Sequence, residues 1–244
     1  MALELTRNYQ LRTNDFDCYA RLHPAAGLDV FQDVAAVQAD AMGIGFDDMF
    51  AQGVFWAVVR IKYEVLKQPA MHEDVAVRTW PHSPSRFSFK RDYSMKNMKG
   101  ELCVKATSEW VLMDFAERKL AMVADHYAGP NDFSDDRCFT ERVRKVADVE
   151  LEGVEPYEVV PRLSDVDVNG HVNNARYAAY VFDALDLPQD KAIRSFQIDF
   201  RHEVIAGEPL LLYCVGAEDG STTVLGKNEA GETSFACIIT YFGE

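Results

Sequence analysis

The sequence predicts an α+β protein built from two tandem copies of one unit, each a central helix wrapped by an antiparallel sheet, the two sheets joined edge to edge. Three matched segments predict it. The turn K-N-x-x-G occurs at residues 96–100 and again at 227–231, 131 positions apart, each time followed by Glu and a strand-like run. Upstream, VVRIKYEVLKQPAMHEDVAV parallels SFQIDFRHEVIAGEPLLL. Further upstream, residues 9–34 align without a gap on 157–182, 148 positions apart, with His23 falling on His171.

Each copy opens with an extended segment that leads into its helix. The first helix is expected from near Leu28, with Val30, Val34, Val37 and Ala41 on one face. The strands follow: Val59, Ile61 and Tyr63 alternate with Arg60, Lys62 and Glu64, and Phe196, Ile198 and Phe200 alternate with Gln197, Asp199 and Arg201. A period of two marks half-buried strands. Residues 1–125 form the first unit, and 126–152, rich in Asp, Arg, Gly and Ser, read as a linker crossing the surface. Residues 153–244 form the second unit. Its helix is expected from about Asn174 to Leu185, with Ala178, Val181, Phe182 and Leu185 on a face and Asn173 or Asn174 as N-cap. Joining the sheets removes an open edge in each.

Composition narrows the function classes. The chain of 244 residues is 48% hydrophobic and carries a net charge of −14, so nucleic acid and anionic membranes are poor partners. No apolar run reaches membrane-spanning length, and the charged start of the chain does not resemble a signal peptide. Five widely spaced cysteines without a CxxC pair argue against a metal site or disulfide framework and for reduced thiols in a cytoplasm. No cofactor motif is present.

The chemistry concentrates in residues 164–174, SDVDVNGHVNN, immediately before the second helix. Asp167, Asn169 and His171 alternate, which places them on one side of an extended segment. A helix start also offers backbone N–H groups and the positive end of the dipole to a polarised carbonyl or oxyanion. Under the 148 offset the first copy holds Tyr19 and Arg21 opposite Asp167 and Asn169 and keeps His23 opposite His171. Function rather than folding then accounts for Asp167 and Asn169. At an offset of 137, set by Tyr63 and Phe200, Glu203 faces Leu66, which marks it as a carboxylate placed for acid–base work.

D-x-D-x-N-x-H-x-N-N followed by F-R-H-E resembles the acyl-acyl-carrier-protein thioesterases, double hot-dog enzymes of plants and bacteria. The resemblance covers essentially the whole chain. It implies hot-dog units, hydrolysis of acyl-carrier-protein thioesters to free fatty acid in fatty acid biosynthesis, and Asp167, Asn169, His171 and Glu203 as the catalytic set. The position after the glutamate, often Cys in that family, is Val204 here, so a papain-like Cys–His scheme is not open at that place. The thioester carbonyl is expected near Asn173 and Asn174. Phe31, Val34, Phe55, Trp56, Val58 and Trp110 are candidates for the wall of an acyl slot in the first copy. Arg86, Lys90, Arg91, Lys96 and Lys99 form a candidate basic patch for the acidic carrier, where nearby charges outweigh the net charge because screening sets in at about 8 Å. The chain is expected to be a monomer or homodimer. Two alternatives stay open: an acyl-CoA thioesterase on the same scaffold, and a non-catalytic acyl-thioester-binding regulator.

Overall fold

The computed structural model describes residues 3–168 and 170–243. In chain order it contains β1 (Leu5–Gln10), α1 (Pro24–Ala41), α2 (Phe46–Phe50), β2 (Val54–Val65), β3 (Asp74–Pro81), β4 (Ser88–Asn97), β5 (Leu102–Asp114), β6 (Leu120–Ala121) and α3 (Val123–His126). The second half adds β7 (Tyr157–Val159), α4 (Asn174–Leu185), β8 (Ile193–Phe200), β9 (Leu210–Gly216), β10 (Thr222–Lys227) and β11 (Thr233–Tyr241).

The chain divides into two compact units. The first runs to Asn14 and resumes over Asp29–Arg142; the second takes Asp15–Leu28 and everything from Val143 onward. In the first, the strand order is β1-β3-β4-β5-β2, all antiparallel, with β6 beside β5. In the second it is β8-β11-β10-β9-β7, again antiparallel. The repeated K-N-x-x-G turns are built alike. The Asn97 side chain accepts the Glu101 N–H at 3.0 Å, and that of Asn228 accepts the Glu232 N–H at 2.9 Å. Gly100 and Gly231 sit at φ +81° and +78°, a region closed to most side chains.

α4 spans the expected residues, and Asn173 caps it by accepting the Ala175 N–H at 2.8 Å. Ala175, Ala178 and Val181 are buried on the face that the sheet covers. α1 starts at Pro24, four residues before the expected Leu28. Its cap is His23, whose Nδ1 accepts the Ala25 N–H at 3.1 Å, and Pro24 suits the first helical position because its missing N–H is not needed there. Within the second unit the His23 ring lies 4.7 Å from that of Phe182.

The stretch taken as a linker is held to buried carboxylates. Asp92 on β4 accepts the Cys138 N–H at 2.7 Å, and Asp199 on β8 accepts the Val146 N–H at 2.7 Å. Val146 then packs with Leu225 and Ala236. Two buried acids thus satisfy backbone donors that a surface crossing would leave to water.

Candidate active site

The loop before α4 is shaped by Asp165. One carboxylate oxygen caps a short 3-10 turn by accepting the Arg162 N–H at 2.8 Å, and the other takes the Arg176 guanidinium at 2.7–2.8 Å. Its main-chain oxygen accepts the Asn173 N–H at 2.8 Å. Burial alone would raise this carboxyl, but the Arg162 N–H, the Tyr180 hydroxyl and Arg176 together hold it below the ordinary range. From that anchor the chain turns back on itself: the Asp167 N–H donates to the His171 carbonyl at 2.8 Å, and Gly170, at φ +80°, donates to the Asp167 carbonyl at 3.0 Å.

The facing segment leaves β8. The Arg201 and His202 N–H groups both donate to the Ser234 carbonyl, at 2.8 and 3.0 Å, and the Arg201 guanidinium binds Asp148 at 2.6 Å and the Val146 carbonyl at 2.7 Å. Five residues on, the Gly207 N–H donates to the Pro161 carbonyl at 2.8 Å. Pinned at both ends, this segment presents Glu203, whose Oε1 lies 3.3 Å from His171 Nε2. The two residues are 32 positions apart in the chain and meet in the second unit. Asn169 lies outside the described residues.

Sequence reasoning missed Tyr177, one turn into α4. Its ring packs edge-on against Phe200 and Phe235 at 5.2 and 5.5 Å, and its oxygen accepts the Val204 N–H. Burial pushes the phenol well above its usual range, and the carboxylates of Glu203 and Asp167 push it further. A neutral hydroxyl therefore sits beside both loops. Among the described residues, no group of three or more His, Cys, Asp or Glu is placed to hold a metal.

Known proteins share this architecture. The N-terminal domain profile of the acyl-ACP thioesterases matches residues 3–130, and their C-terminal domain profile matches 150–241. The chain belongs to this family. A chloroplastic palmitoyl-acyl carrier protein thioesterase of Arabidopsis thaliana is 27% identical over 176 residues, 68% of this chain and 43% of the relative. Oleoyl-acyl carrier protein thioesterase 1 of the same plant is 27% identical over 98% of this chain and 71% of its own length. The chain thus spans less than half of the first of these curated relatives. Among solved structures, an acyl-ACP thioesterase from Bacteroides thetaiotaomicron superposes with a TM-score of 0.86 at 20% identity, covering 98% of each chain. The 12:0-ACP thioesterase of Umbellularia californica gives 0.83 at 21% identity, covering 100% of this chain and 99% of the other. The fold is that of two hot-dog units.

Hydrogen bonding corrects the register between the copies. In the first copy the Asp17 N–H donates to the Arg21 carbonyl, Ala20 to Asp17 and His23 to Asp15, which repeats the Asp167–His171, Gly170–Asp167 and Asn173–Asp165 bonds. Bridges Phe16–Leu22 and Val166–Val172 correspond as well. Every pair is 150 positions apart, not 148. His23 is therefore the counterpart of the cap Asn173, and Arg21 that of His171. Around β2 and β8 the offset is 135: Leu66 and Lys67 donate to the Cys103 carbonyl as Arg201 and His202 do to that of Ser234. Glu203 thus corresponds to Gln68 rather than Leu66.

The correction reverses the weighting. Asp17 persists opposite Asp167, where it accepts the N–H groups of Tyr19 and Arg21 at 2.9 Å each, so an aspartate at this place builds the loop in the first copy. Asn169, His171 and Glu203 are what the other copy lacks, with Tyr19, Arg21 and Gln68 at their places. There, Arg21 is tied to Asp17 at 2.7 Å and to the Lys191 carbonyl at 2.8 Å. The motif R-x-x-D-x-D, at 12–17 and 162–167, was the sequence signal for the true register.

The helix-start donors are mostly engaged: the N–H groups of Asn173, Ala175 and Arg176 already bond to Asp165, the Asn173 side chain and the Asn173 carbonyl. In the first unit, Phe31 and Val34 of α1 are buried with Val58 of β2. Trp56 stacks on Phe89 at 5.6 Å, and Trp110 lies directly across from Val58. Phe55 stands apart, on the opposite face of β2, packed against Phe115.

The basic residues do not form one patch. Arg91 is 4% exposed, because it shares the inward face of β4 with Phe89, Tyr93 and Met95. It donates to the side chains of Gln38 and Thr79, and burial pushes its pKa down. It cannot meet a partner protein. Lys90 and Lys96 are exposed but six residues apart, about 20 Å along the strand. Arg86 lies beyond Lys90, and Lys99 beside Lys96 in the turn.

Proposed function

We propose that this chain hydrolyses acyl-carrier-protein thioesters, releasing a free fatty acid and the carrier thiol. The carrying observation is the His171–Glu203 pair at 3.3 Å, set in the copy whose counterpart holds Arg21 and Gln68. Glu203 takes a proton from water as its oxygen attacks the thioester carbonyl carbon. The C–S bond then breaks, and the proton passes to the departing sulfur. His171 holds the glutamate oriented, and Asp167 keeps the loop in shape. With most of the helix-start backbone donors engaged, the side-chain amides of Asn169 and Asn174 are assigned to the oxyanion. General-base assistance of this kind supplies roughly 10²–10⁴-fold.

The acyl chain is assigned to the apolar wall of Phe31, Val34, Trp56, Val58 and Trp110, and electrostatic carrier contacts to the turn bearing Lys96 and Lys99. The five free cysteines suit a reducing cytoplasm. The test is hydrolysis of a chain-length series of acyl-carrier-protein thioesters beside the matching acyl-CoA series. Preference for the carrier at some chain length supports the reading, and turnover of CoA substrates alone refutes it.

A further inference from the structure

The loops flanking the His171–Glu203 pair carry large apolar side chains turned to solvent. Val168, at the tip of the loop before α4, is 91% exposed; Leu163 is 84% and Ile205 58% exposed. Leu163 lies two residues after Pro161, whose carbonyl holds the segment bearing Ile205 through the Gly207 N–H at 2.8 Å. On the other side, the His171–Glu203 contact closes the Val168 loop onto the same segment. The three side chains are therefore carried on the segments that bear and flank the reacting pair.

Folding does not require them. Under the offsets of 150 and 135 set by the matching hydrogen bonds, their counterparts are Thr13, Cys18 and Ala70. Those positions are also exposed, and the same turns form there. The His72 N–H donates to the Leu11 carbonyl at 2.9 Å as Gly207 does to Pro161. At these three positions the second copy is apolar where the first is polar or small, and its side chains are 58–91% exposed, against 39–43% for Tyr19, Leu66 and Met71 in the first copy's loops. Exposed apolar clusters of this kind mark interaction sites.

We propose that Leu163, Val168 and Ile205 form an apolar rim on which the thioester's carrier protein docks. This inference rests on the hydrolase reading above. Charge selects a protein over coenzyme A as the occupant. Residues 160–176 and 201–209 contain three arginines and no lysine. Arg176 is bound to Asp165, and Arg201 to Asp148 and the Val146 carbonyl, which leaves the exposed Arg162 beside the rim. These two segments thus bring a single exposed cation beside apolar side chains, an arrangement poorly suited to the phosphates of a coenzyme. It suits a protein surface with an apolar patch and a few acids.

The experiment presents one acyl chain on three thioesters: the carrier protein, coenzyme A and N-acetylcysteamine. Leu163→Ser/Ile205→Ser and, separately, the near-isosteric Val168→Thr are compared with wild type, with melting curves alongside. The double variant is expected to lose at least about tenfold in kcat/KM on the carrier, as when interface anchors are truncated. Its activity on N-acetylcysteamine should stay within about twofold, and the loss should not change with salt, because apolar contacts are not screened. Equal losses on all three substrates would overturn the proposal, as would no loss on any. A loss shared by carrier and coenzyme A would make the rim a site for their common pantetheine arm and overturn the protein-docking assignment. A wild type that fails on the carrier thioester breaks the hydrolase reading itself, before any variant is compared.

Discussion

Glu203→Gln is the exchange that separates the two copies, since Gln68 occupies the equivalent place, and it removes one function while keeping shape. The amide retains the volume and one acceptor oxygen but cannot take a proton from water. If Glu203 is the base, kcat should fall by about 10²–10⁴, which is about 3–5 kcal/mol of barrier. Stability should hardly move: the Glu203 side chain is 55% exposed and its pairing with His171 is open to water. Such a pair contributes about 1 kcal/mol or less, a change of about 2–4 °C in Tm for a chain of this size. The assay is single-turnover release of fatty acid from an acyl-carrier-protein thioester, with melting curves on the same preparations. The double variant Glu203→Gln/His171→Ala should be about as slow as the worse single variant, because the imidazole acts through the carboxylate. A Glu203→Gln enzyme with more than about a third of wild-type kcat would refute the base assignment. Losses that multiply in the double variant would refute the coupling.

His23 should matter to folding and not to turnover. His23→Ala removes a helix cap and should cost about 1 kcal/mol, with kcat intact. Burial lowers the His23 pKa, so the folded state resists its protonation and stability should fall as pH drops below about 6.5; His23→Asn, which keeps a cap, should flatten that dependence in melts at two pH values. Tyr177→Phe leaves the Val204 N–H without its acceptor and should lower kcat about tenfold with KM little changed; a change confined to KM would contradict its place beside the reacting pair. Lys96→Glu/Lys99→Glu should slow the carrier substrate several-fold at low salt and little at high salt, leaving a small thioester unaffected; full activity on the carrier at low salt would remove this turn from docking.

Much of the molecule was legible in local pattern. The K-N-x-x-G turns, the alternating strands and the α4 boundaries with the Asn173 cap follow from residue types whose backbone preferences act over a few positions. His171 and Glu203 could be named from sequence as partners in one cleft; their direct contact needs the two loops to be pinned by Asp165, Ser234 and Pro161. The register was misread because His23 and His171 match in type. A helix can be capped by an imidazole nitrogen as well as by an amide oxygen, so identity of residue was a weaker guide than identity of hydrogen bond. Arg91 was misplaced although Phe89, Tyr93 and Met95 already put it on the inward face. What no local pattern could supply was its burial against Gln38 and Thr79, or the use of Asp92 and Asp199 to hold a stretch that reads as surface linker. Short-range preferences set the elements; the partners of a buried charge come from segments far away in the chain, and only packing decides which of them arrive.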